Sequence, residues 1–225
     1  MLSAEGVSRS FGAIRALTDV SFTLGRGQTL VVFGPNGAGK TTLLKLAAGL
    51  LRPSSGRIVA QDGRRSVGWL AHQSLLYGAL SVEENLRFAA RLYGGAPDRR
   101  IREVLEQFDL GALAGRLVRT LSRGQAQRAA VARAVVHGPA VLLLDEPFTG
   151  LDLTAAEALR GLLTAFGREG RALLLVTHNV DEGVGLATHV AFLVGGRLVA
   201  LEPRGGRSAP QVAEAYRAAV ERGRG

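Results

Sequence analysis

The chain contains no cysteine, which excludes a disulfide framework, thiolate-bound zinc, iron–sulfur clusters and a thiol nucleophile. Lysine is almost as scarce. Lys40 and Lys45 are the only two, so 26 of the 28 basic residues are arginine. With 19 acidic residues the formal charge is +9, a balance that raises nucleic acid, anionic lipid or nucleotide as partners. The arginines are spread over almost every segment and rarely stand beside aromatic residues, which make up 5% of the chain. The excess charge is therefore read as solvated surface, and no nucleic acid is expected. Long apolar runs are missing too: Val141 to Leu144 and Leu173 to Val176 fall far below the roughly 20 residues that span a bilayer. The opening Met1-Leu2-Ser3-Ala4-Glu5-Gly6 has no basic region ahead of an apolar core and does not read as a secretory signal. Membrane work, on this reading, passes through a partner.

What is present is an ordinary globular composition, 47% hydrophobic over 225 residues, which corresponds to about one and a half domains. Val20, Phe22 and Leu24 alternate with polar neighbours, as in a half-buried antiparallel strand. By contrast, 30–33, 141–144 and 173–176 are continuous apolar runs, which suit strands of a parallel sheet covered on both faces. The fold class is α/β, with an N-terminal antiparallel β-layer beside a mostly parallel sheet. Helices are expected over 41–50 and 155–166. Ser81-Val82-Glu83-Glu84 has the form of a capping box. It opens a nearly all-helical stretch, about 79–124, read as an inserted subdomain. Residues 1–203 form the main domain. Residues 204–225 are a linker, turn-rich from Pro203 to Pro210, and a terminal helix whose stripe of Val212, Ala215, Tyr216, Ala219 and Val220 is expected to pack on the core.

Gly34-Pro35-Asn36-Gly37-Ala38-Gly39-Lys40-Thr41 matches G-x-x-x-x-G-K-[ST] between an apolar strand and a helix, the setting that marks a P-loop. The glycines let backbone N–H groups converge on phosphate oxygens at a helix N-terminus. Lys40 is expected to reach the β- and γ-phosphates, Thr41 to ligate Mg²⁺, and Thr42 to donate to a nearer phosphate. One of the only two lysines standing at this position supports the assignment. Val141 to Leu144 ends in Asp145-Glu146, two carboxylates at the strand edge where open α/β sheets place ligands. Asp145 is expected to hold Mg²⁺, and Glu146 to orient or deprotonate an attacking water.

Leu121-Ser122-Arg123-Gly124-Gln125, followed by Asp145-Glu146-Pro147, resembles the signature and acidic strand end of ABC transporter ATP-binding subunits, and the resemblance covers nearly the whole chain. It implies that ATP is held between two subunits head to tail. Ser122 and the N–H groups at Gly124 and Gln125 would grip the γ-phosphate across the interface. It further implies that Phe11 stacks on adenine, Gln73 senses Mg²⁺ and the attacking water, His178 contacts the γ-phosphate, and Asp152 communicates between the two sites. His72 matches no role. Arg123 replaces the usual second glycine of the signature. The implied partners are a second ATP-binding subunit and transmembrane permease subunits docked near 73–86, with the protein peripheral on the cytoplasmic face of the cell membrane. The stretch 72–77, Glu84-Asn85-Leu86-Arg87-Phe88 and the LSRGQ form are most similar to ATP-binding subunits of bacterial haem exporters. ABC-2 type drug or polysaccharide exporters come next. A soluble ABC ATPase acting on DNA or ribosomes is favoured only by the net charge, and intact Lys40, Asp145, Glu146 and His178 oppose a degenerate scaffold.

Overall fold

The computed structural model describes residues 1–61 and 63–222; 223–225, the end of the expected terminal segment, lie outside the described residues. In chain order the elements are β1 (Leu2–Phe11), β2 (Ile14–Leu24), β3 (Thr29–Phe33), α1 (Lys40–Ala47), β4 (Ser55–Ala60), β5 (Val67–Leu70), α2 (Val82–Leu92), α3 (Asp98–Gln107), α4 (Arg123–Val135), β6 (Val141–Asp145), α5 (Leu153–Arg168), β7 (Ala172–Thr177), α6 (Val180–Val184), β8 (His189–Val194), β9 (Arg197–Pro203) and α7 (Ala209–Arg222), with short 3₁₀ turns between some of them.

Two sheets form. β2-β1-β4 is antiparallel, and β5-β6-β7-β3-β8-β9 is parallel except for its last strand. The continuous apolar runs are the central strands of the second sheet, because alternate side chains leave a strand on opposite faces and both faces are covered. Along β3, Leu30 and Val32 join the core shared with α1 and the antiparallel sheet. Val31 and Phe33 join the core built from α2 to α5 and α7. β5 and β6 are parallel neighbours, yet 71–140 lie between them in the chain and carry α2, α3 and α4. The expected capping box is formed: Ser81 Oγ accepts from Glu84 N at 3.2 Å and Glu84 Oε2 accepts from Ser81 N at 2.7 Å.

Helix ends differ from expectation at three places, one of them α5, which runs Leu153–Arg168 rather than 155–166 because Asp152 caps it. α1 stops at Ala47 rather than near residue 50, because Gly49 adopts a positive φ of 68° and Leu50 N turns back to Lys45 O at 2.9 Å, closing the helix with an achiral residue. Pro210, read as linker, lies inside the first turn of α7, where a missing N–H costs nothing. The stripe on α7 faces inward: Val212 and Ala219 are buried, and the Tyr216 ring lies 5.6 Å from Phe192 and 6.4 Å from Phe33.

A half-buried histidine makes this fold sensitive to acid. His137 follows α4, stacks on Tyr93 at 3.7 Å with the rings 8° from parallel, and places Nε2 3.3 Å from Val67 O. Burial, reinforced by Arg133, Arg100 and Arg171, pushes its pKa down to about 4 despite the Val67 contact. The unfolded chain therefore binds a proton that the native one refuses. Stability is full above pH about 6.5 and is lost as pH falls toward 4. The full shift corresponds to at most about 3 kcal/mol. Screening of a ring that is only partly buried reduces this to about 1–2 kcal/mol. Denaturant unfolding at pH 7 and pH 4.5 should differ more for the wild type than for His137→Phe, which keeps the stack and cannot titrate.

Candidate nucleotide site

The turn between β3 and α1 is shaped by glycine. Gly39 has φ 101°, and a Cβ there would lie 2.5 Å from Ala16 O and 2.8 Å from Leu17 Cδ2; no L-residue with a side chain fits. No side chain caps α1 and its first turn holds no acid, so its orphan N–H groups are available to an anion. Lys40 is 8% exposed, and its Nζ donates to Gly34 O at 2.6 Å and Pro35 O at 3.1 Å. Burial pulls its pKa below the ordinary lysine value, and the charges of Glu146 and Asp145 oppose that.

β6 brings the carboxylates to the same place. Thr41 Oγ1 donates to Asp145 Oδ2 at 3.0 Å. Burial raises the pKa of Asp145 and the Thr41 hydrogen bond works against it. Glu146 has left the strand conformation with φ 50°, a region that costs a non-glycine residue about 1 kcal/mol or more. That twist aims its carboxylate at the end of β7. There Oε2 accepts from Thr177 Oγ1 at 2.9 Å, and Oε1 accepts from His178 N at 3.1 Å and lies 2.9 Å from His178 Nδ1. A carboxylate in that contact is matched by a proton on Nδ1.

Lys40, Thr41, Thr42, Asp145, Glu146 and His178 line one cavity of about 580 Å³, together with 36–39 and with Ile14, Arg15, Ala16, His72 and Thr149. Four residues expected here are not in its wall: Gly34 and Pro35, whose carbonyls are covered by the Lys40 ammonium, and Phe11 and Gln73. Phe11 sits at the β1–β2 hairpin opposite Ile14, 44% exposed, with the Arg9 guanidinium 4.6 Å from its ring centroid; the twist of the hairpin presents the start of β2 to the cavity instead. Gln73 is exposed on the loop after β5, and the side chain that reaches the cavity from this loop is its neighbour His72. His72, to which the sequence assigns no role, and Thr149, which it does not single out, line the cavity because the folding of their loops brings them in; neither stands at a motif position.

The signature residues lie elsewhere. Ser122 caps α4 in a second reciprocal box with Gln125: Ser122 Oγ accepts from Gln125 N at 3.3 Å, and Gln125 Oε1 accepts from Ser122 N at 2.9 Å. The spacing S-x-x-Q signals this box in the sequence. Ser122, Gly124, Gln125 and Asp152 line a cavity of about 430 Å³ that shares no residue with the first. Asp152 caps α5, its Oδ1 accepting from Ala155 N at 2.8 Å.

The ABC transporter family model matches residues 17–149. This chain belongs to the ABC transporter ATP-binding family. It is 36% identical over 213 residues to a sulfate/thiosulfate import ATP-binding protein of Agrobacterium fabrum, covering 88% of this chain and 62% of that one. It is 40% identical over 183 residues to a cytochrome c biogenesis ATP-binding export protein of Roseobacter denitrificans, covering 81% and 86% respectively. Among solved structures it is similar to the dimeric ATP-binding cassette MJ0796 bound to ADP and Pi, at TM-score 0.83 and 26% identity, over 92% of this chain and all of that one. The chain thus spans less than two thirds of the length of the sulfate/thiosulfate relative. Import and export relatives match at comparable identity, so the likeness singles out no cargo.

Proposed function

We propose that the chain is the ATP-hydrolysing motor subunit of an ABC transporter, acting as a pair of copies that trap two nucleotides between them. What carries the reading is the division of the site. The phosphate cradle with Lys40 and Glu146 occupies one cavity and Ser122 with Gly124 another, so a single chain holds two half-sites that a head-to-tail pair would complete. In such a pair Lys40 turns from the Gly34 and Pro35 carbonyls to the β- and γ-phosphates, and the α1 N–H groups bind the neighbouring oxygens. Thr41 and Asp145, two hard oxygen donors 3.0 Å apart, suit Mg²⁺. When bound, the ion neutralises charge on the β- and γ-oxygens. Glu146, steadied by Thr177 and His178, accepts a proton from the attacking water. The freed Ser122 Oγ and first-turn N–H groups of α4 grip the γ-phosphate from the partner once the nucleotide competes with the cap.

The absence of native cysteine makes the test clean. In a chain carrying Ser122→Cys and Asn36→Cys, with Glu146→Gln to arrest turnover, ATP should induce a disulfide between copies that is missing without nucleotide. Failure to crosslink at saturating ATP would overturn the pairing.

The permease partners are proposed to dock on the loop after β5 and on α2. Tyr77 and Phe88 form an edge-to-face pair with centroids 5.0 Å apart and remain 53% and 39% exposed, and Leu75 and Leu92 are exposed nearby in the chain. Buried Asn85 holds this loop by bonds to Tyr77 N at 2.8 Å and Ser81 O at 2.9 Å. No helix among the described residues is long and apolar enough to cross a membrane, and the subunit is proposed to be held at the inner face by its partners. For cargo the proposal is haem, exported for cytochrome c maturation, supported by the LSRGQ form and by the export relative. Loss of holocytochrome c on deletion of the gene is the expected result, and unimpaired maturation would redirect the assignment to another exported cargo.

Ile14, Arg15 and Ala16 are proposed to flank the base in place of Phe11. Phe11→Ala should change ATP affinity by less than about 2-fold, because base stacking worth about 1–3 kcal/mol is not available from a ring outside the cavity wall. A nucleotide-binding titration checks this.

A further inference from the structure

Arg123, the residue that departs from the family signature, is the first residue of α4 and, although exposed, lies against the backbone of the next turn. A Cβ built on Gly150 would fall 2.5 Å from Arg123 Nε and 2.8 Å from Nη1, with Cζ nearer still. The guanidinium therefore lies flat on the one residue of the 147–152 turn that has no side chain. Gly150 has φ 76°. The same turn is held a second time from α4, by Gln127 Nε2 donating to Pro147 O at 2.7 Å. Arg123 and Gln127 also line a cavity of about 220 Å³ with His72, Ser74, Glu146 and Thr149. That cavity shares His72, Glu146 and Thr149 with the phosphate cavity.

The turn matters because it connects two functional residues. It starts from Glu146, whose positive φ aims the carboxylate, and ends at Asp152, which caps α5 and lines the signature cavity. A strut from the start of α4 onto its middle ties three things in one chain: the signature serine, the carboxylate that handles water, and the acid facing the second half-site.

We propose that Arg123 is a positioning residue acting within its own chain: its guanidinium, seated on Gly150, locks the 147–152 turn to the N-terminus of α4 and so couples the setting of Glu146 to that of Ser122. The inference rests on the hydrolytic reading above. An arginine suits the task because its planar, delocalised head can lie against a bare peptide face, which a lysine ammonium cannot. A misplacement of about 1 Å at a reacting group can cost up to about 100-fold in rate, and partial release of one strut, with Gln127 still in place, should cost about 10-fold.

The test is a double-substitution cycle in the full chain. Arg123→Ala should lower kcat about 10-fold with KM for ATP within about 2-fold, and Arg123→Lys should recover little of it. Gly150→Ala should lower Tm mainly through its positive φ and lower kcat by displacing the guanidinium; the kcat effect, and the part of the Tm effect that comes from that displacement, should disappear in the Arg123→Ala background. Gly150→Asn, a residue that tolerates positive φ, separates collision from backbone strain and should show the same dependence on Arg123. Independent effects of the two substitutions, or a raised KM at unchanged kcat in Arg123→Ala, would overturn the proposal, the latter pointing to a grip on the partner's nucleotide. The Tm cycle needs no nucleotide: lack of turnover in the unsubstituted chain would sink the hydrolytic reading, and the melting data would still decide whether Arg123 bears on Gly150.

Discussion

Glu146→Gln is expected to slow ATP turnover about 10²–10⁴-fold, the range in which a positioned general base acts, while leaving ATP affinity within a few-fold. The substitution keeps the shape and replaces one carboxylate oxygen by an NH₂. It disturbs the local network in a readable way. Thr177 Oγ1 and the N–H of His178 both donate to Glu146, with His178 Nδ1 2.9 Å away. An amide can accept from only one side, so one of these donors has to turn or go unpaired. With its oxygen toward the His178 N–H and its NH₂ toward Thr177 Oγ1, which can accept as well as donate, the amide keeps His178 in place. Single-turnover hydrolysis measured beside equilibrium nucleotide binding separates the two quantities. Normal hydrolysis in this variant would remove Glu146 from the chemistry. Because the arrested protein still binds nucleotide, it should also accumulate the ATP-bound pair, visible by light scattering.

Lys40→Ala should act at the earlier step. The ammonium is 8% exposed and already makes two short bonds to backbone carbonyls, so it is preorganised to exchange them for phosphate oxygens. Hydrogen bonds from a charged donor are each worth about 1.5–3 kcal/mol. Losing two, less what water restores, predicts about 10²–10³-fold weaker ATP binding. Lys40→Arg should not rescue it, because the forked guanidinium is too large for a pocket where the present donor lies 2.6 Å from Gly34 O. Calorimetric titration with ATP checks both variants. The contrast is the informative part: the lysine variant fails to bind, and the glutamate variant binds and stalls.

The continuous apolar runs of β3, β6 and β7 were legible as strands buried on both faces because no polar alternation interrupts them. Ser81 with Glu84 was legible as a helix start because the capping box is a local pattern of side chain and backbone. The phosphate cradle was legible for the same reason: strand, glycine turn, lysine and helix are adjacent in sequence. Phe11 and Gln73 show where such reading ends. Both were assigned by motif position, and both stand one or a few residues from the side chains that line the cavity. A hairpin's twist, or the path of a loop, decides which neighbour faces inward, and neither leaves a compositional trace. His72 and Thr149 entered the cavity by that route.

The amino-acid order alone determined the α/β class, the phosphate-binding turn, the acidic strand end and the capped start of α2, since each depends on groups within a few bonds or one helical turn of one another. The tertiary structure alone decided that the P-loop and signature form separate cavities, that Glu146 is aimed by its left-handed backbone toward Thr177 and His178, and that Arg123 lies on Gly150. Those relations join residues far apart in the chain. Their distances follow from how the sheet stacks its strands and how the helical segment packs beside it, which no local pattern of side chains encodes.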